Sequence, residues 1–360
     1  MDADTRRAWV DIDLGALLRN ARTLASRAGK PLLPMVKADA YGLGAVKVAR
    51  ALEALRPWGF GVATVREGEE LRGAGIRRPI LVFTPLLFTE FAEVRRVGLT
   101  PTLGDPAAIQ AWAESGGGDW HLAVDTGMSR AGIPWFAIGQ VTELVQRAPP
   151  SGAFTHFHSS ERNDGSLEVQ QGRFREAIGA LGTVPPLLHA ENSPAIERQS
   201  PSPWSLVRPG VFLYGVGGGD GSVASPENVA NLRARVVEVR RVRDGETVSY
   251  SATYRAVGER RIATVAAGYA DGYRRSLSNC GTALVRGHRV PVAGLVTMDM
   301  TMIDVTDATC DVGDVVTLMG RDGDEVLDVN DVARTADVSP YELLVGLKLR
   351  ASRRYFGGEE

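Results

Sequence analysis

Cysteine is nearly absent from this chain: Cys280 and Cys310 are the only two in 360 residues. Neither sits in a Cys-x-x-Cys or a mixed Cys/His cluster. That excludes a disulfide framework and a structural zinc site, and a reduced, cytoplasmic protein is expected. Charge of one sign is lacking too. The formal net charge is -2, so no field steers the chain toward nucleic acid or an anionic membrane. No apolar run approaches the length of a membrane span, and the opening MDADTRRAWV has no positive-then-apolar signal layout. No Gly-x-Gly-x-x-Gly follows the first strand, which argues against an open doubly wound nucleotide-binding sheet.

What the chain has is a rhythm. After a strand-like AWVDID and a helix-like LGALLRNARTLASRAG come strand-like runs at LLPMVKA, FGVATV, PILVFTP, LTPTLG, WHLAVDTG, GAFTHFHS, PPLLHAENS and SLVRPGVFLYG. Most gaps between them carry helical spacing, as in AVKVARALEAL and FAIGQVTELVQRA. Eight strands alternating with helices predict a TIM-like (β/α)8 barrel over residues 13–231. From residue 232 to 360 the runs turn β-branched and alternating, with turn residues such as Asp244-Gly245 between them, which predicts a mainly β domain. Residues 1–12 are expected to form a strand packed with that β domain. A helix is expected near the end, at VLDVNDVARTADVSPYELLVGL. Between the domains, GVGGGDGSVASPENVAN reads as a mobile connection.

Chemistry in a barrel gathers at the carboxyl ends of the strands. Lys37 and Tyr41 follow the first run, Asp125 and Arg130 the fifth. His156 and His158 close the sixth, Asn192 and Ser193 follow the seventh, and Arg208 ends the eighth. A lysine ending a strand usually reaches into solvent. Converging with Tyr, Arg, His and Ser on one rim, Lys37 instead suggests a desolvated, nucleophilic amine of lowered pKa. The loops after strands seven and eight are where barrels tend to bind phosphate, and Ser193 with the backbone at Gly210 and Val211 would supply donors. A lysine facing a phosphate pocket suggests a Schiff base with pyridoxal 5'-phosphate. Arg208, always protonated, would donate to the pyridine nitrogen.

KADAYGLG, DTGMSRAG, THF, HAENS, VRPGVFLYG, GETVSYSATYRA, GYADGY and TMDM stand in the order found in bacterial alanine racemases. The chain resembles that pyridoxal-phosphate-dependent family over nearly its whole length. The resemblance implies a homodimer with shared active sites, a small amino-acid substrate, and interconversion of L- and D-alanine by two bases on opposite faces of Cα. It implies that Lys37 holds the cofactor and is one base, and that Tyr269 of the other subunit is the second. It also implies that His156 bonds Tyr269, that Arg208 contacts His156 and the pyridine nitrogen, and that Arg130 contacts the phenolic oxygen and orients the substrate. Tyr41, Ser193, Gly210 and Val211 would hold the phosphate, and Met298 and Asp299 would line the substrate pocket. No metal is expected.

Three positions depart from the family pattern. Ala123 stands where the family usually has a lysine, often carbamylated, that braces Arg130. Thr297 stands where it often has cysteine. The family's C-terminal phosphate tyrosine falls on Leu349 in one register and Arg350 in the other, so Arg350 is a candidate phosphate ligand. Other readings of this architecture are a racemase of broader specificity (serine or another small amino acid), a fold-related pyridoxal decarboxylase, whose cysteine and acidic motifs are missing, and a pyridoxal-phosphate carrier, which usually lacks a second domain.

Overall fold

The structure is a computed structural model that describes residues 5–217 and 222–358. Parallel strands Phe60–Val62, Ile80–Val82, Thr100–Leu103, His121–Asp125, Gly152–Phe154 and Leu187–His189 pair in that order. Single parallel bridges, Met35 to Gly61, His189 to Leu206 and Leu32 to Val207, carry the pairing round to its start and close the barrel. The first and last runs shrink to bridges for a covalent reason. Pro31 and Pro34 break one and Pro209 ends the other, and proline has no N–H to give a ladder.

Helices wrap this ring, and their sequences explain them. In Leu14–Ala28, Leu14, Leu17, Leu18, Ala21, Leu24 and Ala28 form one buried stripe at helical spacing. Asp13 caps its start by accepting from the Ala16 N–H at 2.9 Å, and Gly29 ends it in the left-handed conformation, φ 60°. The run FAIGQVTELVQRA differs from expectation: it begins as a 3-10 turn, Trp135–Val141, before the helix Thr142–Arg147. The helix expected near the end is two, Val329–Thr335 and Pro340–Val345, because Ser339 caps a new start with Pro340 at its first position.

The second domain is built on a nine-stranded sheet. Its long strand Ala230–Val242 pairs antiparallel with Ala8–Asp13, which pairs parallel with Ser352–Phe356. The two ends of the chain therefore meet in the same sheet. Asp11, 3 % exposed, lies between them. Its carboxylate accepts from Arg354 Nε at 2.5 Å and Nη2 at 2.8 Å, and Arg233 Nε stands 3.1 Å away. The inter-domain connection is less free than its composition suggests. Residues 218–221 lie outside the described residues, but Asn20 binds the part beyond them, accepting from the Glu227 N–H at 2.7 Å and donating to its carbonyl at 3.0 Å.

Asp11→Ala should remove the anion that joins first and last strands. Hydrogen bonds to charged groups are worth about 2 kcal/mol, so the denaturation midpoint should fall by that equivalent at unchanged slope. An unmoved midpoint would show that backbone pairing alone holds the ends.

Candidate active site

Lys37 follows the Met35 bridge directly, and the chain then does something unusual. Ala38, Asp39, Ala40 and Tyr41 all take left-handed backbone angles, φ 52°, 54°, 51° and 56°. Each such residue costs about 1–2 kcal/mol for an L side chain with Cβ, so the turn must be held from outside. Glu67 does this, accepting from the Ala38 N–H at 2.8 Å and the Ala63 N–H at 2.7 Å. Asp39 accepts from the Ala45 N–H at 2.7 Å, and Arg353 Nη2 donates to the Gly42 carbonyl at 2.9 Å. The Tyr41 ring stacks on Tyr214 at 4.7 Å, and Tyr214 donates to the Met35 carbonyl at 2.7 Å. The result orients Lys37 and Tyr41 from one rigid turn. Lys37 is half-buried, and burial lowers its pKa, with Arg130 and Arg208 adding and Glu67 opposing.

Arg208, 3 % exposed, is the hub of the mouth. Nη1 donates to the His189 carbonyl at 2.8 Å and to His189 Nδ1 at 3.0 Å. Nη2 donates to the carbonyls of Thr155 at 2.8 Å and Ala190 at 3.0 Å, with His156 Nδ1 at 3.4 Å. The remaining Nε–H has no acceptor among the described residues. Because arginine only donates, these contacts set the tautomers. His189 Nδ1 must accept, so its Nε2–H donates to His121 Nδ1 at 2.8 Å. His156 likewise keeps its proton on Nε2. Burial, then Arg208, Arg130 and Lys37, push the His156 pKa down to about 3, so the ring is neutral at neutral pH. Burial also lowers Arg208 to about 9 and raises the neighbouring Glu191 to about 7. His121, His189, Glu191 and Glu67 were not among the residues singled out from the sequence. A histidine inside an apolar strand run, as in WHLAVD and LLHAE, was the available signal.

Beside the hub is a polar cradle. A Cβ at Gly210 would stand 2.8 Å from the Tyr41 hydroxyl, so only glycine lets that phenol approach the backbone. Ser193 Oγ accepts from the N–H groups of Gly210 at 2.9 Å and Phe212 at 3.4 Å, which leaves its own proton free to donate. The Gly210 amide is thus committed to Ser193, contrary to the donor role expected for it. The Val211 amide, first in a 3-10 turn, has no acceptor among the described residues. Asn192 caps the helix Ser193–Arg198 by accepting from the Ala195 N–H, which places Ser193. Asp125 accepts from the Gly127 and Ser129 amides at 2.9 and 3.1 Å, shaping the loop that carries Arg130. His158 is exposed and bonds Ser159.

Arg130 itself is exposed, and among the described residues it makes no hydrogen bond or ion pair. Ala123 is buried against Gly104, where a Cβ would lie 3.1 Å from its methyl. On the β domain, Tyr269 is 39 % exposed and its hydroxyl makes no hydrogen bond among the described residues. Its loop lies against the turn bearing Met298 and Asp299, with the Tyr269 N–H donating to the Thr297 carbonyl at 3.0 Å. Thr297 closes that turn through bonds to Met300. Arg350 corrects an expectation. It donates to Asp271 and Asp299 rather than standing free for a phosphate, and Leu349 is 85 % exposed.

The residues at the barrel mouth suit one group. An amine of lowered pKa, one uncommitted guanidinium N–H, and a cradle of phenol, hydroxyl and amide would accept an aldehyde, a pyridine nitrogen and a phosphate. Comparison with known proteins agrees with that inventory. Residues 12–217 match the family model "Alanine racemase, N-terminal domain" and residues 229–355 the model "Alanine racemase, C-terminal domain". The chain is 37% identical to the alanine racemase of Symbiobacterium thermophilum over the full length of both. To that of Deinococcus radiodurans it is 39% identical, over 97% of this chain and 99% of that one. The alanine racemase structure from E. faecalis superposes with a TM-score of 0.92 at 32% identity, covering 98% of this chain and 99% of that one. That from Bartonella henselae, with covalently bound pyridoxal phosphate, superposes at 0.90 and 29% identity, over 98% and 100%. The chain belongs to the alanine racemase family.

Proposed function

We propose that this protein is a pyridoxal-phosphate-dependent alanine racemase, acting as a homodimer in the cytoplasm, where its two free cysteines stay reduced. The observation that carries the reading is Arg208. Its Nη protons are held by the barrel, and its Nε–H is left for a ring nitrogen beside a lysine of lowered pKa. Bound there, pyridoxal phosphate would withdraw electrons from the substrate's Cα and make its proton labile.

The protein's own part is to hold two bases on opposite faces of that carbon. Lys37, whose pKa is lowered by burial and by Arg130 and Arg208 against the opposing Glu67, takes or returns the proton on one face. Tyr269 of the partner subunit serves the other. His156, neutral with its proton on Nε2, donates to the Tyr269 oxygen and orients it. Arg130 directs its charge to the cofactor's phenolic oxygen and the substrate carboxylate. Tyr41, Ser193 and Val211 hold the phosphate, and Gly210 contributes by having no side chain. Met298 and Asp299 line the entry on the β domain. The shared arrangement is supported by the exposure of Tyr269, whose hydroxyl finds no hydrogen-bond partner among the described residues of its own chain.

Borohydride reduction followed by peptide mapping should find the pyridoxyl group on Lys37, and an adduct on another lysine refutes the assignment. Gly210→Ala should push the Tyr41 phenol away. Losing one charge-assisted bond should weaken pyridoxal phosphate binding about tenfold or more, while affinity for pyridoxal without phosphate changes little. Equal losses for both would place Tyr41 elsewhere. Lys37→Ala and Tyr269→Phe homodimers should each be nearly inactive. After random subunit exchange, roughly a quarter of all sites should regain both bases. If mass analysis shows exchange and activity stays at the floor, both bases come from one chain.

A further inference from the structure

We propose that Arg350 is a positioning residue for Tyr269, locking the GYADGY loop and the TMDM turn into one unit; the proposal rests on Tyr269 being a base. Arg350 grips Asp271 with a fork, Nε to Oδ1 at 2.8 Å and Nη2 to Oδ2 at 2.7 Å. Nη1 reaches Asp299 at 2.6 Å, and Nη2 also reaches the Met298 carbonyl at 3.3 Å. One guanidinium therefore bridges the residue two after Tyr269 to both residues assigned to the substrate entry. Asp271 passes the grip onward, because its Oδ2 accepts from the Gly268 N–H at 2.9 Å, immediately before Tyr269.

The two segments also touch through their backbones. Tyr269 and Ala270 donate to the carbonyls of Thr297 and Met298, each at 3.0 Å, and a Cβ at Gly268 would lie 2.2 Å from the Thr297 carbonyl. The Tyr269 side chain has no bond of its own in the described residues, so its loop alone aims it. The contacts of Arg350 are unequal in weight. The Asp299 pair is open to water, both side chains being about half exposed, and contributes little by itself. Asp271 is 3 % exposed, so without Arg350 its carboxylate keeps only a backbone donor in a buried place. Relief requires the loop to move. Lysine cannot replace the fork, since a point charge cannot grip both Asp271 oxygens and reach Asp299.

The effect should be one-sided, because Arg350 itself reaches only the Tyr269 loop and the Met298–Asp299 turn, while Arg353 holds the Lys37 turn. In Arg350→Ala holoenzyme, racemisation should fall about 100-fold, as for a base displaced by about 1 Å, with KM nearly unchanged. Deuterium from solvent should still enter the alanine enantiomer whose Cα proton faces Lys37, mostly without inversion, and should enter the other about 100-fold more slowly. Arg350→Lys should recover little. Independently of activity, mass-spectrometric hydrogen exchange should quicken at the Tyr269 and Ala270 amides and stay unchanged in the barrel. Unchanged protection at those amides, or equal loss of exchange from both enantiomers, overturns the proposal. Tyr269→Phe is the control: if it still inverts alanine, the two-base reading fails, and amide exchange alone then decides whether Arg350 holds the loop.

Discussion

A full positive charge lies inside the barrel at Arg208, and the mouth is organised around keeping it there. Burying a charge is costly unless every polar contact is made. Here three backbone carbonyls, from Thr155, His189 and Ala190, do the work that water would do, and the rings of Phe83 and Phe154 lie 5.7 and 5.4 Å from the guanidinium carbon. Among the described residues no carboxylate is hydrogen-bonded to it. The charge is therefore solvated but not neutralised, and its field reaches the neighbours. His121, His156, His189 and Lys37 all have lowered pKa values, with Arg208 a cause in each. Burial is the largest cause in each, and the buried cation adds to it in the same direction.

The second constraint is mechanical. The Lys37 turn and the Tyr269 loop belong to different domains, yet both rest on the same C-terminal stretch. A Cβ at Gly42 would meet the Leu344 carbonyl at 2.6 Å, and one at Gly272 would meet the Leu347 Cα at 2.8 Å. Arg350 and Arg353 extend from that stretch to opposite sides, one to the Tyr269 loop and one to the Lys37 turn. Backbone contacts this close leave the two segments little room to slide against each other, so within one chain each base is held at a fixed place for the separate site it serves.

The alternation of apolar runs with helical stripes made the barrel legible, because strands covered on both faces read as continuous hydrophobic segments. The short first and last strands were less so, since Pro34 and Pro209 limit pairing without breaking the apolar pattern. The left-handed turn was not legible at all. Ala38 and Ala40 are good helix formers, and their conformation is imposed by Glu67, which is 29 residues away from Ala38. Most of the site residues could be named because each ends a strand. The partners that set their protonation could not, because His121 and His189 look like strand interior. In the sequence Arg350 is a candidate ligand by register alone, and only in one of two alignments. Its carboxylates lie 79 and 51 residues earlier, and pairing over such spans is a property of the fold alone.

The pairing of Ala8–Asp13 with Ser352–Phe356 has a consequence for biogenesis. Asp11 and Arg354 are separated by 343 residues, so the first strand emerges from the ribosome long before one of its neighbours exists. At roughly 5–20 residues per second, it waits tens of seconds for that neighbour with one backbone edge unpaired. The barrel, whose strands join near neighbours, can close in that interval, while the sheet that contains both ends must be completed last. Until Ser352–Phe356 is made, the Ala8–Asp13 strand carries an unpaired edge, the kind of surface that holdase chaperones shield.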